Sequence, residues 1–242
     1  INELKRLCLK KKCVLFTSSY WKKSRVYFRL IKELSPSFVV NNINPNPSLE
    51  DVINTEIDFS SVDYCISLGG GSVIDFSKAV LAFYSCNNKK SHFKKAAISN
   101  KSFFGNYNKM PKIIAIPTTS GTGSEVNSWG TIWNNQEKLS VNGDILKPSI
   151  AIMDPSLCKT MPKELTISSA LDALSHALES IWNVNYSFLT DEISSLAIKK
   201  IIKFLPLVIN NKNNTSYRKE LQIASLFAGI SMSQTKTALC HS

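Results

Sequence analysis

Residues 64–76 read YCISLGGGSVIDF and predict a buried strand, a turn of three glycines and the start of a helix. The strand is expected over 64–68 and the helix over 73–84, because a short apolar run is followed by a helix-like one. Glycine lets backbone N–H groups approach a ligand at the helix N-terminus, where the helix dipole favours an anion. The stretch therefore predicts a phosphate-binding turn between a strand and a helix.

A structural interpretation of the same turn is also open. Ser72 and Asp75 have the spacing of a capping box, in which Ser72 accepts from a helix-end amide and Asp75 reaches back. The glycines do not follow the Gly-x-Gly-x-x-Gly fingerprint, and a tight turn alone would account for them.

A second loop of the same kind follows a strand predicted at 112–116. It reads PTTSGTGSE over 117–125 and carries the hydroxyl groups of Thr118, Thr119 and Thr122. These groups are suited to contact a ribose, a pyrophosphate or a nicotinamide amide. Open α/β sheets bind ligands at the carboxyl ends of their strands. Two such loops after two strands favour a nucleotide site.

The chain is predicted to form two domains. Over 1–155, short β-branched runs alternate with amphipathic stretches, which is typical of an α/β domain with a parallel, Rossmann-like sheet. Over 156–242 the strand signals disappear and the pattern is all-helical. The predicted strands lie at 13–17, 39–40, 64–68 and 112–116, with a hairpin around Asn134, and the predicted helices at 24–34, 48–56, 73–84, 162–182, 188–209 and 217–239.

In the helical half, residues 171–179 read LDALSHALE and place Asp172 and His176 one turn apart on one helix face. Such a pair can hold a divalent metal, although a buried aspartate and a core histidine explain it equally well. A carboxylate and neutral imidazoles suit Fe²⁺, Zn²⁺ and Mn²⁺ alike. Glu179, one turn further on, is expected beside the ligands or at the surface rather than in the ligand set.

The composition predicts a globular protein without a membrane span. The chain has 242 residues, of which 43% are hydrophobic, and its apolar runs are no longer than a strand. No secretory segment is seen at the N-terminus, so the expected compartment is the cytoplasm. The six cysteines lack paired spacings and are expected to be free thiols, mostly in the core.

The formal net charge of +11 raises the question of nucleic acid. The lysines are spread in small clusters without interleaved aromatic residues, which indicates a solvated surface that favours small anions. We therefore expect no nucleic-acid partner, and a nucleic-acid-binding protein is kept as a remote alternative.

The chain begins at Ile1 and ends at Ser242 just after a helical pattern, so we expect a fragment of a longer protein, truncated at both ends.

Three motifs together resemble one family. GGGSVIDFSK at 69–78, PTTSGTGSE at 117–125 and DALSHALE at 172–179 are, in this order and spacing, similar to the iron-containing (group III) alcohol dehydrogenases. The resemblance covers essentially the whole chain. It implies a dinucleotide-binding domain followed by a helical domain in a dehydroquinate synthase-like fold, with a metal and a nicotinamide in the cleft between them. It also implies a metal-dependent oxidoreductase that moves a hydride between NAD(P)H and a small aldehyde or ketone, in a protein that is commonly a homodimer.

The resemblance assigns roles to individual residues. The family holds its metal, expected to be iron, by one aspartate and three histidines. Asp172, His176 and His241 match the first three ligands and would act in catalysis through the metal, while the fourth lies beyond Ser242. His92, in a predicted lysine-rich loop, is not expected to be a ligand. The residues implied in cofactor binding are Gly70, Gly71 and Ser72 at the pyrophosphate, Thr118, Thr119 and Thr122 at the ribose and nicotinamide, and Lys138 at a ribose hydroxyl. Asp75 is also counted among the cofactor residues.

Cofactor preference is predicted from the end of the first strand. Family members that use NADH often carry an aspartate there for the adenosine ribose, whereas this chain has Ser18. Lys22, Lys23 and Arg25 follow closely and are suited to a 2′-phosphate. We therefore expect Ser18 at the adenosine ribose and NADPH to be preferred over NADH.

The substrate is predicted from residues 228–242, which resemble a branch that includes phosphonoacetaldehyde reductases. The implied reaction reduces phosphonoacetaldehyde to 2-hydroxyethylphosphonate, and Lys236 either pairs with the phosphonate or is a solvated helix lysine. A glycerol dehydrogenase or dehydroquinate synthase-like enzyme of the same fold is the alternative. A further possibility is a catalytically dead fragment, because the fourth metal ligand is missing from the chain.

Overall fold

A computed structural model describes residues 2–99, 102–103 and 110–236. The chain divides into two compact units, the first made of 1–116 and 128–151 and the second of 117–127 and 152–242. The loop at 117–127 therefore groups with the helices and not with the strand that precedes it. The boundary expected between 155 and 156 stays a prediction.

The first unit is built on a five-stranded sheet in the order β2-β1-β3-β4-β7. β1 pairs in parallel with β2 and β3, and β4 with β7. A separate antiparallel pair, β5 and β6, forms the hairpin expected around Asn134. The strands are β1 (Cys13–Thr17), β2 (Phe38–Val40), β3 (Tyr64–Gly69), β4 (Lys112–Pro117), β5 (Trp129–Asn134), β6 (Glu137–Asn142) and β7 (Ile150–Ala151).

The described residues of the first unit form the helices α1 (Asn2–Leu7), α2 (Arg25–Leu34), α3 (Leu49–Ile53), α4 (Gly71–Ser85) and α5 (Lys90–Ile98). α2 and α3 begin where Ser24 and Ser48 accept hydrogen bonds from their first-turn amides. α4 is buried almost all round, and Phe76 packs edge-on against Phe16 of β1. A helix without a polar face has to lie inside the core, so α4 sets the position of the turn that precedes it.

The second unit is helical, with α6 (Lys163–Ile181), α7 (Phe188–Asn210) and α8 (Thr215–Thr235) packed against one another. Short 3₁₀ turns lie at Trp21–Lys23 and Asp144–Leu146 in the first unit and at Pro155–Cys158 in the second. The shared core of the three long helices is made mostly of small residues, namely Ala170, Ala173, Ala177, Ala197, Ala224 and Ala228 with Ile201. Small side chains let helix backbones approach closely, so this unit depends on tight backbone packing more than on large side chains.

One buried cation joins the start of α6 to α8. Arg218 is only 2% exposed. Its guanidinium donates to the Thr166 hydroxyl at 2.8 Å and to the carbonyl oxygens of Met161 and Lys212. Burial lowers the pKa of Arg218. The hydrogen bonds compensate for part of the cost of removing the charge from water.

The sequence predictions hold for the sheet and the long helices and differ in several places, among them the end of α3, which lies at Ile53 rather than at residue 56. The helices α1 and α5 were not predicted, and His92 lies in α5 rather than in a loop. α4 begins at Gly71, two residues earlier than expected. α8 ends at Thr235 rather than near residue 239, because Lys236 adopts a left-handed φ of 65°. No described helix is both long and apolar enough to cross a membrane.

Candidate functional site

The glycine turn joins β3 to α4 without a side-chain cap. Gly70 is the N-cap residue of this 15-residue helix and makes no side-chain cap, and the Val73 N–H donates to the Gly70 carbonyl at 3.0 Å. A Cβ at Gly69 would lie 2.5 Å from a methyl carbon of Val73, so the strand runs directly against the first turn. Open amides at a helix N-terminus fit an anionic group such as a pyrophosphate.

The capping-box interpretation of Ser72 and Asp75 is wrong. The Ser72 hydroxyl accepts from the backbone N–H of Asn46 at 3.3 Å, and the Asp75 carboxylate accepts from the backbone N–H of Thr131 at 3.0 Å. Both side chains tie α4 to other segments of the first unit instead of closing its first turn. The sequence analysis missed Asn46, although the Asn-Pro-Asn-Pro turn at 44–47 is a strong local signal for a structured loop.

Ser18 lies at the same edge of the sheet as the glycine turn. In the parallel register, Thr17 pairs with Leu68, so the chain leaves β1 at Ser18 beside the point where β3 reaches Gly69. The Thr17 hydroxyl donates to the Leu68 carbonyl at 2.8 Å. The Ser18 carbonyl accepts from the N–H of Trp21, which begins the short 3₁₀ turn that carries Lys22 and Lys23. The sheet thus brings Ser18 and the glycine turn together.

The threonine loop belongs to the second unit. Thr118 is buried, Thr119 half-buried and Thr122 exposed, with its hydroxyl accepting from the Ser124 N–H at 3.4 Å. Lys138, in contrast, lies exposed on β6 in the first unit. The structure therefore distributes the predicted cofactor residues over both units.

Asp172 and His176 form a pair on α6. Asp172 Oδ1 lies 3.7 Å from His176 Nε2, and the side chains are 37% and 7% exposed. Two ligands about 2.0–2.2 Å from a tetrahedral ion are roughly 3.3–3.6 Å apart, so the pair fits a shared metal with a small adjustment. No group of three or more candidate ligands occurs among the described residues, and His241 lies outside them. Metal binding by Asp172, His176 and His241 therefore stays a prediction.

Glu179 is not a surface residue. It is 3% exposed and accepts a hydrogen bond from the Ser175 hydroxyl at 3.0 Å. The remaining expectation for Glu179, a place beside the ligands, stays a prediction.

Lys236 is exposed at the end of α8, where its carbonyl accepts from the Asn183 side chain.

The cysteines in the described part of the chain are free thiols. Cys8, Cys13, Cys65, Cys86 and Cys158 are free, and all but Cys86 are buried, which confirms the prediction for the described residues. Burial raises the pKa of Cys158 to about 11. A thiol with such a pKa is protonated at neutral pH and is a poor nucleophile or metal ligand.

Two family models match successive parts of the chain. Residues 1–155 match the iron-containing alcohol dehydrogenase model, and residues 166–242 match the C-terminal model of the Fe-containing alcohol dehydrogenase family. The chain belongs to the iron-containing alcohol dehydrogenase family. The glycine turn and the threonine loop lie within the first match and the Asp172–His176 pair within the second.

Individual relatives agree with this membership. The chain is 34% identical to an alcohol dehydrogenase of Thermococcus barophilus over 84% of its own length and 54% of the relative. It is 30% identical to an NADPH-dependent butanol dehydrogenase of Clostridium saccharobutylicum over 84% of its length and 52% of that protein. The chain thus spans about half the length of these curated relatives.

Solved structures show the same fold. A sulfoacetaldehyde reductase from Bifidobacterium kashiwanohense in complex with NAD⁺ superimposes with a TM-score of 0.88 at 29% identity, covering 99% of this chain and 64% of that one. An iron-containing alcohol dehydrogenase from Thermotoga maritima superimposes with a TM-score of 0.82 at 28% identity, covering 99% and 66%. The α/β unit with a parallel sheet and the helical unit are therefore those of the family.

The turn at Gly69 generates a testable prediction. Gly69→Ala pushes a methyl group into Val73, so the start of α4 has to shift, and we expect a destabilisation of about 1–3 kcal/mol together with weaker dinucleotide binding. Removing the opposing methyl groups in Gly69→Ala/Val73→Ala should restore part of the binding. Urea unfolding and fluorescence titration with NADPH measure the two effects. Equal binding by wild type and Gly69→Ala would contradict the role given to this turn.

Proposed function

We propose that the protein is a metal-dependent NAD(P)(H) oxidoreductase that interconverts an alcohol and an aldehyde or ketone by hydride transfer. The observation that carries the proposal is the Asp172–His176 pair, whose two donor atoms lie 3.7 Å apart on α6 within the C-terminal family match. A buried imidazole beside a carboxylate is a donor set suited to a divalent first-row metal.

The proposed metal residues are Asp172, His176 and His241, and the proposed metal is Fe²⁺, with Zn²⁺ and Mn²⁺ as alternatives. When bound, such an ion supplies Lewis-acid stabilisation of an alkoxide or a polarised carbonyl oxygen. Asp172 contributes a negative charge to the site. His176 is held by its burial in the α6 packing, which fixes the direction of its ring.

The proposed nucleotide residues divide by the part of the cofactor they face. Gly70 and Gly71, with Ser72 in the first turn of α4, receive the pyrophosphate at the helix N-terminus. Asp75 supports them by accepting from the Thr131 N–H, which holds the start of α4 in place. Thr118, Thr119 and Thr122 face the ribose and nicotinamide, Lys138 a ribose hydroxyl, and Ser18 the adenosine ribose. NADPH is the proposed cofactor, supported by the absence of a carboxylate at position 18 and by the lysines on the 3₁₀ turn that follows.

The proposed substrate is a small anionic aldehyde, specifically phosphonoacetaldehyde. Two observations support an anion: the net charge of +11, and the fold shared with a protein named as a sulfoacetaldehyde reductase, whose substrate pairs an aldehyde with a sulfonate. An uncharged aliphatic alcohol is the second candidate, favoured by the likeness to a butanol dehydrogenase. We also propose a cytoplasmic homodimer that binds neither membranes nor nucleic acid.

Metal binding tests the central proposal. His176→Ala removes a ligand, and we expect the dissociation constant for Fe²⁺ under anaerobic conditions, or for Zn²⁺, to rise about 100-fold or more. His92→Ala is the matched control, because His92 is exposed on α5 in the first unit. Calorimetric titration of both variants measures the affinities. Equal losses in the two variants, or a wild-type protein that binds no metal, would overturn the assignment of the pair.

Cofactor choice is tested at Ser18. Ser18→Asp adds a carboxylate that repels a 2′-phosphate and accepts from ribose hydroxyls, so the ratio of the NADPH and NADH dissociation constants should move at least about tenfold toward NADH. Ser19→Asp adds the same charge at the exposed neighbouring position and serves as the control. Fluorescence titrations with both nucleotides give the ratio. An unchanged ratio in Ser18→Asp would contradict the predicted role of this residue.

Substrate class is tested with matched aldehydes. The rate of NADPH oxidation is measured with phosphonoacetaldehyde, sulfoacetaldehyde and butanal at equal concentrations after metal loading. We expect kcat/KM to be at least about tenfold higher with phosphonoacetaldehyde than with butanal, because Lys236 is proposed to pair with the phosphonate. Equal values would contradict the anionic substrate and leave alcohol and aldehyde oxidoreduction intact.

A further inference from the structure

The threonine loop packs against α6 and α8 through glycines that leave no room for a side chain. A Cβ at Gly121 would lie 2.8 Å from the carbonyl oxygen of Ser169 on α6. A Cβ at Gly123 would lie 2.6 Å from the Cα of Gly229 on α8, and one at Gly229 would lie 2.7 Å from the Cα of Gly123. At both points the loop backbone touches a helix backbone directly.

The loop conformation depends on the same contact. Gly123 has a φ of 62°, which non-glycine residues rarely adopt. Its carbonyl accepts from the Val126 N–H at 3.1 Å and from the Asn127 side-chain amide at 3.2 Å. Gly123 is therefore at once the bend of the loop, the acceptor that closes it and the point that rests on α8.

The base of the loop is tied to α8 as well. The Gln222 side-chain amide donates to the Pro117 carbonyl at 3.4 Å. Gln222 and Ser120 both point to the buried Cys158, with the Ser120 hydroxyl 3.9 Å from its sulfur. Thr118 and Thr119 lie between Pro117 and Ser120, so both ends of the threonine pair are fixed to the helical unit.

The contact at Gly121 reaches the helix that carries the proposed metal ligands. Ser169 precedes Asp172 by three residues, about one turn of α6. The loop and the Asp172–His176 pair thus share one helix as their support. Hydride transfer tolerates little error, since a displacement of about 1 Å can cost roughly 100-fold in rate.

We propose that the backbone contacts Gly123–Gly229 and Gly121–Ser169 are positioning contacts, which hold the threonine loop at a fixed place relative to the metal-binding turn of α6. The inference rests on the proposed function, because it takes the loop to contact the nicotinamide half of the cofactor. A backbone contact between glycines has no side-chain rotamers, so it fixes the loop more tightly than a contact between flexible side chains.

The test separates the two halves of the cofactor. Gly229→Ala forces the loop away from α8, so the dissociation constant for NADPH should rise at least about tenfold. Binding of adenosine 2′,5′-bisphosphate, which lacks the nicotinamide half, should change less than about twofold. Fluorescence and calorimetric titrations give both constants, and NADH with AMP is measured in parallel so that the result does not depend on the preference at Ser18.

Val208→Ala is the control for a general loss of stability. Val208 is buried on α7 of the same unit, and truncating it lowers the melting temperature without touching a loop glycine. We expect both nucleotide affinities to stay at the wild-type values in this variant. If Gly229→Ala does not fold, Gln222→Met removes the side-chain hydrogen bonds to the Pro117 carbonyl and the Cys158 sulfur. It should raise the dissociation constant for NADPH about threefold with no change for the bisphosphate.

The outcomes distinguish the two proposals. A wild-type protein that binds neither NADPH nor NADH overturns the proposed function. The positioning role alone is overturned if the wild-type protein binds one of them and the two variants do not discriminate between the ligands. In that case Gly229→Ala and Gln222→Met change the dissociation constants of the dinucleotide and of the ligand without the nicotinamide half equally, or change neither. A selective loss of the nicotinamide-containing ligand in either variant supports it.

Discussion

The close fit of β3 against the first turn of α4 is the constraint on which the first unit depends. Gly69 leaves no space for a Cβ beside Val73, and the helix that follows is buried almost all round. A buried helix in that place fixes the sheet edge where Ser18 and the glycine turn lie side by side. The N-cap residue Gly70 has no side chain, so the turn that determines the packing is also the one proposed to bind the anion.

The helical unit also depends on close backbone packing, here through alanine and glycine. Its core consists largely of alanines, which bring α6, α7 and α8 close together, and the threonine loop rests on two of these helices through glycine. Close backbone packing is sensitive to added volume, because neighbouring backbones cannot move aside as side chains do. The loop that is proposed to hold the nicotinamide therefore rests on the closely packed helices that also carry Asp172 and His176.

The sequence predicted what depends on local patterns and missed what depends on distant partners. Strand and helix positions followed from periodicity, and the Asp172–His176 spacing followed from helical geometry. The capping box at Ser72 and Asp75 failed because their partners, the amides of Asn46 and Thr131, lie far away in the chain. Nor does local sequence reveal that α8 stops at Lys236, since a lysine with positive φ has no signature of its own. His241 stays a prediction because it lies outside the described residues.

The path of the chain places the threonine loop in the second unit, although the loop lies in the first half of the sequence. The chain leaves the first unit after Ile116, returns at Ser128 and leaves again after Ala151. A contiguous piece ending near residue 155 would hold the strand that leads to the threonine loop but neither Ser169 nor Gly229, on which the loop rests. Without those contacts nothing among the described residues replaces the support at Gly121 and Gly123. The threonine loop lies in the first half of the sequence, and it rests on helices of the second half.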